Sequence, residues 1–359
     1  MIYPRLIIPF ICFFILAFQP HVMAKTKNLS ALFKNSMEVA KTIPYDGVVF
    51  VRFKTQKGEV TSKIKTYRHS SGVQRMEIIE PSALKNHIIA RINNDTWMTP
   101  VSHEDIMNLP EDIRYYHWFL ISRDITAAIK QDELDLFLKN YKLTGEDCGK
   151  VANRKVQTIY VSGRNRYRPS LRIWIDFETK MPLKYEMYDN EKHITKSVEF
   201  RKINFIKNSD KEEITTDGLE KLSPPKHKNE KDVVKLDFTP LCLDKIPKGF
   251  KEQPSHSWMY KEEIIYETPY RDGFANFTIY QRKQSKEERE KQLKEPKEER
   301  YKAKKIIFHG RNLYYRELDG VRVSVIGSGV SSRGLRFVLY HMNSNESKEK
   351  PQKKPSKDK

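Results

Sequence analysis

The stretch Leu171-Arg-Ile-Trp-Ile-Asp-Phe177, followed through Glu178-Thr-Lys-Met-Pro182 by Leu183-Lys-Tyr-Glu-Met-Tyr188, decides the fold. Leu171, Ile173, Ile175 and Phe177 fall on one side of an extended chain, and Arg172, Trp174 and Asp176 on the other. Leu183, Tyr185 and Met187 repeat the alternation. A period of two marks a strand with one apolar face, and two such runs joined by a short turn form an antiparallel hairpin.

The pattern extends in both directions. Upstream, 47–55 alternates with Val49, Val51 and Phe53 on one face. Gln56-Lys57-Gly58 supplies turn chemistry, and strands follow at 60–69, 73–80 and 87–92, the last turning at Asn93-Asn94-Asp95 into Thr96-Trp97-Met98. Runs at 156–161 and 196–205 complete the set. Leu29, Leu32, Phe33, Met37, Val39 and Ala40 have near-helical spacing that Pro44 ends, and 102–140 is helical or irregular. The sum is α+β: a strongly curved antiparallel sheet, ending near Asn204, with helices packed on one side.

Residues 208–235 are polar, contain Ser223-Pro224-Pro225 and form a linker. A smaller, mainly antiparallel β domain occupies 236–342. Paired strands lie around Asp272-Gly273, more strands at 306–308, 313–317 and 321–326, and a closing element at 335–340 suits a helix or a strand. Residues 286–305 are almost continuously charged, an exposed loop or short helix. The lysine-rich tail, 343–359, is too polar to fold.

Lys and Arg number 66 against 47 Asp and Glu, a net charge of +19 over 359 residues. Such an excess suits an acidic partner. Arg5, the apolar run 6–18 and Val22-Met23-Ala24 make 1–24 a cleaved secretory signal, the alternative being an uncleaved anchor. Export argues against nucleic acid as the partner. Cys148 and Cys242 then face an oxidising compartment, either paired or as separate thiols. The histidines are scattered without metal-ligand spacing, and no cofactor motif or nucleophile elbow is present. The expectation is a binding protein, not an enzyme.

The concave face of the large sheet collects Val49, Val51, Phe53, Ile88, Ala90, Ile92, Leu171, Ile173, Ile175, Leu183, Tyr185 and Met187. Exposed apolar surface costs roughly 25 cal/mol per Å², so this face must be covered. Two coverings are open: a core sealed by Tyr115, Trp118, Phe119 and Ile129, or a cleft for acyl chains. Arg52, Arg91, Arg164, Arg166 and Arg168 form either a cationic rim for phosphorylated glycolipid or a solvated face.

Tyr45-Asp46-Gly47, Lys57-Gly58-Glu59 and Tyr67-Arg68-His69 in the opening hairpin, with the tryptophan-bearing strand and its Lys180-Met-Pro182 step, resemble the RseB/MucB family and its LolA-like first domain. Ile246-Pro-Lys-Gly-Phe250, Tyr270-Arg-Asp-Gly-Phe274, Gly310-Arg-Asn-Leu-Tyr-Tyr315 and Gly320-Val-Arg-Val-Ser-Val-Ile-Gly327 continue the resemblance. Glu80-Pro81-Ser82 and Ser331-Ser332-Arg333-Gly334 depart from it, and 286–305 and the tail look like additions. The resemblance implies a periplasmic regulator of the envelope-stress sigma factor. Residues 25–207 would be a LolA-like lipid-sensing half-barrel, and 236–342 would hold the periplasmic part of an RseA/MucA-like anti-sigma factor and shield it from proteolysis. Lipopolysaccharide or lipoprotein acyl chains would be the signal, close to the membrane surface. The alternative is a LolA-like lipoprotein or lipid carrier.

Overall fold

The computed structural model describes residues 29–54, 58–92, 95–110, 113–114, 116–117, 120, 129, 133–165, 168–189, 191–206, 215–222, 234–260, 262–308 and 311–343. The expected signal, 1–24, and all of the expected tail except Asn343 lie outside them. Two antiparallel sheets carry the fold, a large one before residue 222 and a smaller one after 250.

The large sheet has eleven strands: β1 Tyr45–Lys54, β2 Glu59–Arg68, β3 Gln74–Glu80, β4 Ile88–Ile92, β5 Asp95–Met98, β6 Tyr141–Val151, β7 Arg154–Gly163, β8 Ser170–Asp176, β9 Pro182–Tyr188, β10 Ile194–Phe205 and β11 Glu220–Lys221. Their order is β11-β5-β4-β3-β2-β1-β10-β9-β8-β7-β6. Two meanders therefore meet along one central seam, β1 against β10, with Tyr45 opposite Phe205. Short β11, within the segment expected as linker, pairs with β5.

The sheet bends sharply. Strands four places apart in a flat sheet lie about 19 Å apart, yet β6 and β10 approach within 8 Å, Cα to Cα. The bend wraps one face around helix α1 Leu29–Thr42 and helix α3 Leu134–Asn140, while α2 His103–Asn108 precedes the helical positions Ile113, Tyr116 and Leu120. Phe33, Met37 and Ala40 of α1, spaced i, i+4 and i+7, are fully buried against this face, as the near-helical spacing of 29–42 requires.

The deciding hairpin turns differently from its sequence pattern. β8 stops at Asp176, which is 1% exposed although the alternation puts it on the outer face. Its carboxylate accepts from Thr179 N at 2.8 Å, Thr179 Oγ1 at 2.7 Å and Arg154 Nε at 2.9 Å, closing the turn. Lys180 takes a φ of 64° there. Phe177 is thereby thrown out of the apolar row and is 39% exposed.

The smaller sheet contains β13 Lys251–Glu252, β14 His256–Tyr260, β15 Glu263–Arg271, β16 Asn276–Lys283, β17 Lys304–Phe308, β18 Arg311–Leu318 and β19 Val321–Ser328. A separate pair joins β12 Cys242–Leu243 to β20 Met342–Asn343. The 335–340 element is a helix, α5 Ser332–Tyr340, whose Leu335, Val338 and Leu339 are buried with Phe277, Val323 and Val325. Its i, i+3, i+4 spacing suits a helix and not a strand.

The charged segment begins as helix α4 Lys286–Lys294, held by a capping box. Glu288 N donates to Ser285 Oγ at 3.1 Å, and Ser285 N donates to Glu288 Oε2 at 3.0 Å. With no buried side chain of its own, α4 depends on this cap. Ser285→Ala is expected to cost about 1 kcal/mol locally, visible as faster amide exchange across 286–294 with the rest of the domain unchanged.

Candidate functional site

The residues expected on the concave face divide. Val49, Val51, Leu171, Ile173, Ile175, Leu183 and Tyr185 are buried in one core with Phe33, Met37, Tyr116, Leu120, Leu134 and Phe137. Phe53 and Met187 are partly buried against it. The face is thus lined and covered by side chains of the chain itself. Of the expected seals, Ile129 is buried, while Tyr115, Trp118 and Phe119 lie outside the described residues.

β4 is out of phase with its reading. Ile89 enters the core, opposite Met76 and Met98. Arg91 shares its side, donating to Leu120 O at 2.7 Å. Ile88, Ala90 and Ile92 therefore take the opposite face, because successive strand side chains alternate. Ile88 and Ile92 are not concave-face residues. With Ile-Ile-Ala-Arg-Ile apolar on both sides, a shift of one residue leaves no trace in the pattern.

The rim is also corrected. Arg52 and Arg164 are exposed, Arg91 points inward, and Arg166 lies outside the described residues. Arg168 is buried in the junction between the two domains, where its side chain is 2% exposed.

That junction is a densely hydrogen-bonded polar site. Arg168 Nε donates to Asp272 Oδ2 at 2.5 Å, and an Arg168 terminal nitrogen donates to Lys248 O at 2.7 Å. The guanidinium lies 5.6 Å from the rings of both Tyr141 and Phe250. Asp272, with no side-chain exposure, also accepts from Phe274 N at 3.0 Å, Ala275 N at 2.7 Å and Tyr141 Oη at 3.2 Å. Burial, and then the Asp272 charge, push the Tyr141 hydroxyl far above its ordinary pKa, so it remains a neutral donor.

Asn140, ending α3, donates to Gly249 O and Asp272 O, each at 2.9 Å. Arg271 reaches Glu133 at 3.0 Å. Aromatic rings continue the contact, carrying Phe274 of the second domain against the first core. Phe33 stacks on Phe137 at 5.1 Å, Phe137 on Tyr141 at 4.7 Å, and Phe274 meets both edge-on at 6.0 and 5.7 Å. Helix α3 is therefore part of the first core and part of the contact with the second domain.

Gly273 allows this approach. Its φ is +98°, and a Cβ there would lie 2.4 Å from Phe137 N and 2.8 Å from Glu133 O, both backbone atoms. Gly273→Ala is expected to destabilise by about 2–3 kcal/mol through strain and overpacking. Thermal unfolding would read the loss, and exchange protection should fall at 133–141 as well as around the turn.

Residues 108–218 match a family model described as the MucB/RseB N-terminal domain. That segment is similar to the MucB/RseB N-terminal domain. The matched segment includes Asn140, Tyr141 and Arg168, the first-domain side of the junction. The complex structure of Pseudomonas aeruginosa MucA/MucB is similar at 13% identity and a TM-score of 0.59, covering 88% of this chain and 98% of that one. A crystal structure of MucB in complex with MucA(peri) is similar at 13% identity and a TM-score of 0.55, with the same coverage. At such identity the likeness is one of fold, and it spans both sheets. Among curated proteins none matches.

Cys148 is exposed and Cys242 half-buried, and no disulfide joins the two. Among the described residues no group of side chains is arranged to hold a metal ion, and no helix is long and apolar enough to cross a membrane.

Proposed function

We propose that this chain is a periplasmic negative regulator of an envelope-stress sigma factor, binding the periplasmic segment of a membrane-anchored anti-sigma factor and shielding it from proteolysis. What supports the reading is the extent of the likeness: MucB, in structures where it is held with MucA, is matched over nearly its full length. Binding, and not catalysis, is the activity.

The finer proposal is lipid sensing in the first domain, at Val49, Val51, Leu171, Ile173, Ile175, Leu183 and Tyr185. An acyl chain would enter by displacing the side chains of α1 and α3 that now fill this face. Phe137 is among them and also touches Phe274, so occupancy of the first core would strain the contact with the second domain.

Titrating the purified protein with the periplasmic segment of its anti-sigma factor tests the first proposal. Micromolar or tighter binding that persists in high salt is expected, and lipopolysaccharide or an acylated lipopeptide should release the segment. Absence of binding at about 100 µM would overturn the regulator reading. Binding lost at 1 M salt, where screening shortens to about 3 Å, would point to a charge-only binder. Transfer of acylated cargo between membranes, without segment binding, would make the protein a carrier.

A further inference from the structure

Three arginines are buried among the described residues: Arg68, Arg168 and Arg316. Two are satisfied within the chain. Arg168 holds Asp272, and Arg68 donates to Lys41 O at 3.1 Å and Gly72 O at 3.3 Å. Arg316, on β18, is not. It is 8% exposed, yet among the described residues its guanidinium makes no hydrogen bond and no ion pair.

Arg316 lies opposite Val323, and Tyr314, two residues back, is buried with Val323 in the second core, so the Arg316 stem enters the face that α5 covers. The Tyr340 ring, at the end of α5, lies 5.7 Å from the guanidinium. Nε is sealed from solvent without a partner, while the two terminal nitrogens are not sealed and come to the surface beside Tyr340. Burial lowers the Arg316 pKa from the ordinary arginine value, against weaker opposing effects of Tyr340 and Asp319. Arginine nevertheless keeps its proton, so a charge without a counter-charge stays where desolvation is costly.

The surface around this point is cationic. Arg333, Arg336 and Tyr340, spaced i, i+3 and i+7, lie on the outward side of α5. Lys305 faces the same side from β17, opposite Tyr314, and Lys245 lies 5.9 Å from the Phe337 ring. These four cations are exposed, and none forms an ion pair among the described residues. Tyr340 is 51% exposed. A tyrosine and a desolvated arginine inside a charged rim have the composition of an interface hot spot, with the acidic side still to come.

We propose that the α5 face docks an acidic peptide segment, one carboxylate pairing with the Arg316 terminal nitrogens beside Tyr340 while Arg333, Arg336 and Lys305 steer its approach. A recessed guanidinium is reached by a flexible side chain and not by a flat lipid surface. The proposal rests on the regulator reading, in which the occupant is the periplasmic segment of the anti-sigma factor.

Equilibrium and stopped-flow titration with that segment test it, on the parent protein, Arg316→Met and the double variant Arg333→Glu/Arg336→Glu. Arg316→Met is expected to weaken binding by about thirtyfold or more, through faster dissociation. Its melting temperature should be no lower than the parent's, since methionine removes an unpaired charge and keeps an apolar stem. The double variant should slow association at low salt and recover at high salt. Its two exposed positions keep the test open whatever Arg316→Met does to folding. Parent-like binding by both variants would overturn the inference and leave the regulator reading standing. A lower melting temperature in Arg316→Met with binding intact would make the arginine structural and overturn it too. No binding by the parent protein would overturn both. Sedimentation of the parent, but not of Arg316→Met, with phosphatidylglycerol vesicles would give this face to a membrane and overturn the peptide.

Discussion

Asp272→Asn is expected to cost roughly 3–5 kcal/mol of stability, because it leaves the Arg168 guanidinium buried without its counter-charge. A buried ion pair need not add net stability over an apolar pair, but removing one member is expensive. Arg168→Met alone should cost less, since Asp272 keeps the Phe274 and Ala275 amides and the Tyr141 hydroxyl as donors. The double variant should fall well short of the sum, because contacting residues couple. Urea unfolding of the four proteins gives the coupling directly. Additive losses, or a loss under about 1 kcal/mol for Asp272→Asn, would remove the pair from any role in joining the domains. On the regulator reading, Asp272→Asn should also weaken lipid-driven release while leaving segment binding in place.

The second large effect is on acid stability. His117 is 1% exposed and lies 6.0 Å, ring to ring, from His87. Burial, and then the neighbouring His87 charge, lower its pKa from 6.5 to about 4. His87 is also lowered by burial. A histidine whose folded pKa is depressed binds its proton more readily when unfolded, so stability is full above about 6.5 and is lost as pH falls toward 4. With about 1.4 kcal/mol per pKa unit, the loss from His117 is roughly 3 kcal/mol over that window.

Carboxylates act lower. Burial pushes Asp176 up, but hydrogen bonds from Arg154 and Thr179 outweigh it and leave the pKa lowered, so its contribution is lost only on further acidification. The urea midpoint should therefore drop between pH 7 and 4.5, and His117→Phe should flatten that slope whatever it does to stability at pH 7. A midpoint that is level across this range in the parent protein would contradict the assignment.

How far the fold could be read from sequence depended on whether a segment's partners were near it. In β8 and β9 the aliphatic side chains occupy one face only, so Leu171 and Leu183 could be placed by counting. β4 is apolar on both faces, so its phase depends on Met76 and Met98 and not on its own residues. Asp272-Gly273 carries a plain turn signal, and the turn is there. Its second role is not local: Arg168 and Asn140 come to it from 104 and 132 residues away. Arg168 looks like any surface arginine until its destination is known.

The central seam also constrains how the protein can be made. β1 has an open main-chain edge until β10 arrives, and everything from β2 through β9 must be synthesised in between. A nascent chain in that interval exposes a long unpaired strand edge beside Val49 and Val51, the kind of template that recruits wrong partners. Holdase chaperones should accordingly dwell on the first half of the polypeptide and let go once residues 194–205 have emerged.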